Sequence, residues 1–185
     1  TMNQAIQETC NAIESRSDAH AKVTVRLRLA STGYTIAPSR YIDPGIPRQM
    51  LRLHASFAVV EHPRYGLTLI DTGYSVRFFE ATKKWPYRFY RYLTTVRTHP
   101  EWAAVAWLKR NGIATQDVRR IVITHFHADH VGGLIDFPDS EIIASQKAWD
   151  CFRKNRGLRG LRQAFLPGHV PERLERRGRW IDQFD

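Results

Sequence analysis

A layered domain that mixes α and β structure, α/β or α+β, is the fold class this sequence predicts, and three observations carry the prediction. Strand-like and helix-like segments alternate along the chain instead of clustering by type. Period-two alternation, the mark of a strand with one face buried, is plain in Val23-Thr-Val-Arg-Leu-Arg-Leu29. The composition of 185 residues, 43% hydrophobic, 11% aromatic and 25% charged, is that of an ordinary globular chain long enough to bury a core. No apolar run approaches the ~20 residues that span a bilayer, so a membrane-spanning protein is excluded.

Each element has its own signal. Residues 3–15 read as a short helix. After the strand at Val23–Leu29, Pro38, Pro44, Gly45 and Pro47 punctuate a loop. Leu53–Glu61 and Leu67–Asp71 flank His62-Pro63-Arg64-Tyr65-Gly66, whose proline and glycine favour a turn, so a hairpin is expected. Residues 75–111 turn helical and end in Glu101–Asn111, with Pro100 suited to the first turn and Gly112 to the position just past the end. A strand over Arg120–Thr124, a polar loop over His125–Gly133, a strand over Glu141–Ala144 and a helix opening near Ser145 complete the pattern.

Nothing marks an internal boundary, and one domain over residues 1–185 is the simplest organisation. The N-terminal segment has neither a basic start nor an apolar core, so it does not read as a secretory signal. Cys10 and Cys151 fit no metal or redox spacing, which makes a disulfide framework unexpected and the cytoplasm the default compartment. The net charge of +10 would attract nucleic acid, anionic lipid or acidic substrates and does not choose among them.

The chemistry concentrates in Thr124-His125-Phe126-His127-Ala128-Asp129-His130-Val131-Gly132-Gly133. Three of eight histidines fall within six residues, and His-x-His-x-Asp-His arises by chance in roughly one such chain in a thousand. Imidazole and carboxylate suit zinc, with iron or manganese allowed. In an extended segment His125, His127 and Asp129 point to one side and can converge on a cation. His130 diverges from Asp129 unless the backbone turns, so the segment can serve two neighbouring metals. The bland alternative is a histidine-rich surface loop or a set of hydrogen-bonded core histidines.

The run HFHADHVGG, set behind the strand RIVIT and far downstream of Asp71-Thr72-Gly73, resembles the metallo-β-lactamase-fold hydrolases. The resemblance covers roughly residues 23–145 and implies an αββα sandwich of which this chain supplies the first half. It further implies that His125 and His127 hold one metal, Asp129 and His130 a second, and that Asp71 orients the metal loop from behind the ligands. The wording HPRYGLTLIDTGY, THFHADHVGGL and DFP is most similar to the lactonase-like branch, which includes acyl-homoserine lactonases.

The sequence also departs from that family. Members carry a further histidine in a Pro-Gly-His motif, a bridging carboxylate and a last histidine, whereas only His169 follows His130 here. Leu166-Pro-Gly-His-Val-Pro171 lacks the small-residue turn of the motif and resembles the proline-rich loop before it, so His169 is a secondary ligand candidate. The chain is therefore expected to be incomplete at its C-terminus, or a half-domain completed by another chain. Nine Lys/Arg against two Glu over Arg153–Arg179 read as a solvated face, with phosphate tracking the alternative. The aromatics between Phe78 and Tyr92 read as helical core packing, with a wall over the site or a dimer contact the alternatives.

These readings together point to a metal-dependent hydrolase that uses two zinc ions and a metal-activated water on a lactone or other small ester or amide. Asp129 accepts a hydrogen bond from that water, the partner is a small molecule, no membrane is involved, and a homodimer is allowed. The alternatives are a nuclease of the same fold acting on RNA or DNA, and a non-catalytic metal-binding half-domain that serves as an interaction module.

Overall fold

The protein is represented by a computed structural model that describes residues 23–41 and 43–182. The helix expected at residues 3–15 and Cys10 lie outside the described residues. Seven strands form one sheet: β1 (Arg26–Pro38), β2 (Met50–His62), β3 (Gly66–Ile70), β4 (Thr95–Thr98), β5 (Val118–Val122), β6 (Glu141–Ala144) and β7 (Gly178–Trp180). Their order is β4-β1-β2-β3-β5-β6-β7. The β4, β1, β2 and β3 strands pair antiparallel, while β3, β5, β6 and β7 pair parallel. Among the described residues six short α-helices lie between them: α1 (Arg77–Ala81), α2 (Arg88–Leu93), α3 (Ala104–Arg110), α4 (Ala128–Val131), α5 (Gln146–Lys154) and α6 (Gly157–Arg162). A mixed α/β fold is thus what forms. Of the two sheets in an αββα sandwich, the described residues build one.

The β2–β3 hairpin closes where the sequence places it. His62 pairs with Gly66, and the His62 ring accepts the Arg64 and Tyr65 amides at 3.1 Å, which fixes the turn. The Ser145 hydroxyl caps α5 by accepting the Ala148 amide. Two expectations need correction. Residues 75–111 are not uniformly helical, because Thr95–Thr98 pairs with Gly33–Ile36 as an edge strand, and four residues are too short to show a period. The helix expected over Glu101–Asn111 begins instead at Ala104, after a 3-10 turn over Pro100–Trp102 capped by the His99 ring.

The two faces of the sheet differ. On one, Val59, Leu69, Ile121 and Ile142 are fully buried beneath Leu108 of α3, Val131 of α4 and Phe152 of α5. Burying each such side chain stabilises the fold by about 1.5–3 kcal/mol, so this layer carries the core. A neighbouring cluster of Ala55, Tyr74, Phe78, Tyr90, Val96, Ala128 and Leu166 continues it toward α1 and α2. On the other face the aligned row Leu29, Ala58, Ile70, Val122 and Ile143 runs from exposed through buried to half-buried. The apolar side of the Val23–Leu29 alternation belongs to this second face, and Leu27 and Leu29 remain 57% and 73% exposed. The better covered side of that strand is the one carrying half-buried Arg28, which pairs with Glu61 and lies over Trp107. No helix among the described residues is long and apolar enough to cross a membrane.

Candidate metal centre

Parallel pairing of β3 with β5 puts Ile70 beside Val122, so both chains leave the sheet at the same edge. There the Asp71 amide donates to the Val122 carbonyl (2.8 Å), and Asp71 takes a left-handed backbone (φ 60°), which aspartate tolerates better than most residues. Its buried carboxylate accepts the Thr124 amide (2.9 Å) and hydroxyl (2.7 Å) and meets His130 Nδ1 at 2.7 Å. Thr72 ties down the same segment, since its amide and hydroxyl donate to the His130 carbonyl at 2.8 and 3.0 Å and its hydroxyl accepts the Gly133 amide. Gly73 completes the turn. Its φ is 66°, and a Cβ there would fall 2.2 Å from Thr32 Oγ1, the atom that accepts the Tyr74 amide.

Residues 125–129 alternate as the sequence suggests. Phe126 and Ala128 are buried, whereas His125, His127 and Asp129 on the other side are partly open. The loop is not extended throughout, because α4 begins at Ala128. That helical turn is what brings His130 back beside its neighbours: the His125 ring centroid lies 3.9 Å from that of His130 and 4.4 Å from that of His127. His130 Nε2 sits 3.5 Å from Asp129 Oδ2. The loop is anchored on its far side by the Ala128 amide, which donates to the Ala164 carbonyl (3.1 Å), and by Phe165, whose ring centroid is 6.0 Å from that of His127.

Burial, followed by the neighbouring imidazoles, lowers the pKa of His125. For His127 burial again is the main cause and Asp129 opposes it, with a net lowering. His130 goes the other way. Burial alone would lower it, but the hydrogen bond to Asp71 and the charges of Asp129 and Asp71 outweigh that and raise it. Two imidazoles are thus held neutral, the state in which nitrogen donates to a metal, and the third is oriented through Nδ1 with Nε2 directed toward Asp129.

The donor chemistry fits a divalent cation, but the arrangement does not complete a site. No group of three or more His, Cys, Asp or Glu among the described residues is positioned to hold a metal ion. Four ligands shared between two ions leave about two apiece, short of the three protein ligands typical of a catalytic zinc. His169 does not make up the difference. It is fully buried in the 3-10 turn Pro167–His169, with its ring against Phe78 (6.4 Å) and close to the Ala128 backbone; neither ring nitrogen makes a hydrogen bond of ordinary geometry.

The structure adds residues that the sequence reading did not single out. Thr124 is a hub, because its hydroxyl donates to Asp71 and lies 3.1 and 3.3 Å from Nδ1 of His125 and His130. Tyr74 and Tyr90 are buried, hydrogen-bonded to each other and close enough to feel Asp129; burial first, then Tyr90 and Asp129 for Tyr74 and Asp129 for Tyr90, raise both hydroxyls well above the ordinary tyrosine range. Adjacency to the motif could have flagged Thr124, but the tyrosines converge only through the fold. A cavity of about 780 Å³ at the opposite end of β3, lined among others by Arg28, Glu61, His62 and Gly66, contains none of these histidines.

Comparison with known proteins is consistent with this geometry. A sequence model described as "Metallo-beta-lactamase superfamily" matches residues 52–150. A "Probable metallo-hydrolase" of Mycobacterium tuberculosis is 32% identical over 77 residues, which covers 42% of this chain and 24% of that protein. The matched stretch is thus about a quarter of the length of that curated relative. Among solved structures, B. thuringiensis AiiA with N-decanoyl-L-homoserine bound at its active site superposes with a TM-score of 0.65 at 20% identity, covering 88% of this chain and 61% of that one. A dizinc quorum-quenching lactonase in complex with a homoserine product gives 0.57 at 17% identity, covering 88% and 60%. At such identities the structural likeness speaks to the fold alone.

Proposed function

This chain belongs to the metallo-beta-lactamase superfamily, and from that membership we propose that it carries the first metal-binding half of a metal-dependent hydrolase that opens a lactone or another small ester or amide. The observation that carries the reading is the pairing of a buried carboxylate, Asp71, with Nδ1 of a histidine whose Nε2 faces the partly open cluster. Outer carboxylates of this kind fix the tautomer of metal-binding histidines and raise their basicity.

His125, His127, Asp129 and His130 would hold the metal, with two zinc ions the favoured occupancy and iron or manganese alternatives. A bound divalent ion supplies a hydroxide nucleophile near neutral pH and a Lewis acid for the carbonyl oxygen. The protein's own residues do the rest. His125 and His127, kept neutral by burial, offer lone pairs without a proton to displace. Asp71 and Thr124 hold His130 in one orientation. Asp129, partly open beside His130 Nε2, accepts a hydrogen bond from the attacking water and aligns it. Tyr74 and Tyr90 lie buried behind Asp129, where burial keeps both hydroxyls protonated.

Lactones head the substrate list because two solved relatives of this fold carry acyl-homoserine products or ligands, and the HPRYGLTLIDTGY wording has the same leaning. The test is turnover of a panel of lactones and aryl esters before and after exhaustive chelation, then with zinc, manganese or iron restored. Loss on chelation and recovery with metal is expected, and turnover that survives chelation would contradict the reading. A second reading, a non-catalytic metal-binding module, is favoured by the lack of a three-donor group among the described residues. It predicts metal uptake without turnover of any substrate in the panel.

A further inference from the structure

The aromatic stretch expected to pack as core does so only in part. Phe78 and Tyr90 are buried, but Trp85, Phe89, Tyr92 and Leu93 are not; Trp85 is 65% exposed and Leu93 is 73% exposed. Across from them Leu158 of α6 also stands out from the surface, and Trp85, Phe89, Leu93, Leu158 and Leu161 line one shallow apolar cleft of about 260 Å³. The two segments are joined by the Gly157 amide, which donates to the Tyr87 hydroxyl at 3.0 Å. Large apolar side chains clustered in this way on a surface mark a contact site, whereas scattered ones do not.

The charges around the cleft are predominantly basic, with Glu80, paired to Lys83, the acid beside them. Residues 83–93 carry Lys83, Lys84, Arg88 and Arg91, and α6 adds Arg159 and Arg162; neither segment has an acid of its own. We propose that this face, built from residues 83–93 and α6, docks the chain on the surface of an anionic lipid bilayer. Trp and Tyr among basic residues, with leucines projecting outward, is the composition that settles at a headgroup boundary: the rings and leucines enter the acyl edge while the cations meet lipid phosphates. This reverses the expectation from the sequence that no membrane is involved; that no helix among the described residues can cross a bilayer is no obstacle, since docking on one face needs none.

Two other occupants fit less well. A second copy of the chain in a two-fold contact would set this surface against itself and bring six cations toward six, offset only by the Glu80 beside each Lys83. Single-stranded RNA would match the charge but needs open ring faces for its bases. Here Arg88 lies over the Tyr92 ring, Phe89 packs edge-on against Trp85 with centroids 4.9 Å apart, and the most exposed apolar groups include leucines, which do not stack. The face also leads into the histidine cluster, because α6 runs on to Ala164 and Phe165, which anchor the Ala128 amide and flank His127. The proposal stands apart from the hydrolase reading.

The experiment is sedimentation of the full chain with phosphatidylcholine vesicles prepared with and without phosphatidylglycerol, with circular dichroism as the check on folding. Binding is expected only to the phosphatidylglycerol vesicles and should weaken as salt rises. Neutralising Lys84 or Arg88 to Gln should each lower the partition coefficient about fivefold. Trp85→Ser with Leu93→Ser should lower it at least as much while leaving metal content unchanged. Absence of phosphatidylglycerol-dependent binding would overturn the proposal, as would binding indifferent to both sets of variants. RNA binding that depends on Trp85 in a chain that ignores vesicles, or a dimer dissolved by Leu93→Ser, would reassign the face.

Discussion

Asp71 and His130, 59 positions apart in the chain, meet at 2.7 Å where the end of β3 faces the first turn of α4. The contact does three things at once. It buries a carboxylate with its acceptor sites used by Thr124 and His130, it fixes His130 Nδ1, and it aims Nε2 at Asp129. Asp71→Asn is expected to weaken zinc binding by about 10–100-fold, the usual cost of removing a partner that orients a ligand. Competition with a chromophoric chelator reads this directly, and an unchanged affinity would mean that the contact serves the fold only.

Proton binding in the metal-free chain should separate the three clustered histidines. His130 is raised above its ordinary value of 6.5, while His125 and His127 are lowered below it. The protonated His130–Asp71 pair therefore adds stability below pH 6.5, and that contribution fades as pH rises through the raised value. In an NMR titration His130 is expected to lose its proton last of the three, and Asp71→Asn should bring it down. A different order would contradict the assigned geometry.

Gly73 and Gly112 both have left-handed backbones, at φ 66° and 71°, but their surroundings differ. A Cβ on Gly73 would collide with Thr32, whereas a Cβ on Gly112 would meet nothing within 4 Å. Gly112→Ala is expected to cost about 1 kcal/mol from backbone strain alone. Gly73→Ala should cost roughly 1–3 kcal/mol more by overpacking the turn that holds Asp71, and Thr32→Ala should recover part of that. Denaturant midpoints of the four proteins test the ranking, and equal losses for the two glycines would refute the steric account.

His169 is fully buried, and burial pushes its pKa down to about 4. Folding thus favours the neutral ring, which adds stability above pH 6.5 that is lost as pH falls toward 4, by roughly 3 kcal/mol in all. Because neither ring nitrogen has a well-formed partner, His169→Phe should be tolerated at neutral pH and should flatten the acid limb. Unfolding midpoints between pH 7 and pH 4 check this. Loss of bound zinc in the same variant would restore His169 as a ligand.

Much of the candidate site is legible in the sequence because it is local. His125, His127, Asp129 and His130 sit within six residues, and Phe126 and Ala128 alternate inward between them as a strand exit requires. Asp71 is legible only through resemblance; its partner lies 59 positions away, and nothing in the turn itself names His130. The burial of Tyr74 and Tyr90 near Asp129 has no local signal, since it depends on how α1 and α2 pack. The fold follows the same division. The β2–β3 hairpin carries its own turn chemistry, but the edge strand Thr95–Thr98 is defined by its pairing with β1 rather than by any pattern of its own. The alternation in Val23–Leu29 marks a strand correctly, yet Arg28 is drawn to the covered side by Glu61 and Trp107, so the apolar row is the one left open.

The central claim is that the His125–His130 segment binds metal, and its most direct test is the zinc content of the purified chain and of a His125→Ala, His127→Ala double variant, measured by elemental analysis after identical loading and desalting. Each ligand contributes directly to a site built from few groups, so the double variant should lose most of the metal the parent retains. Equal zinc in the two proteins would contradict the account.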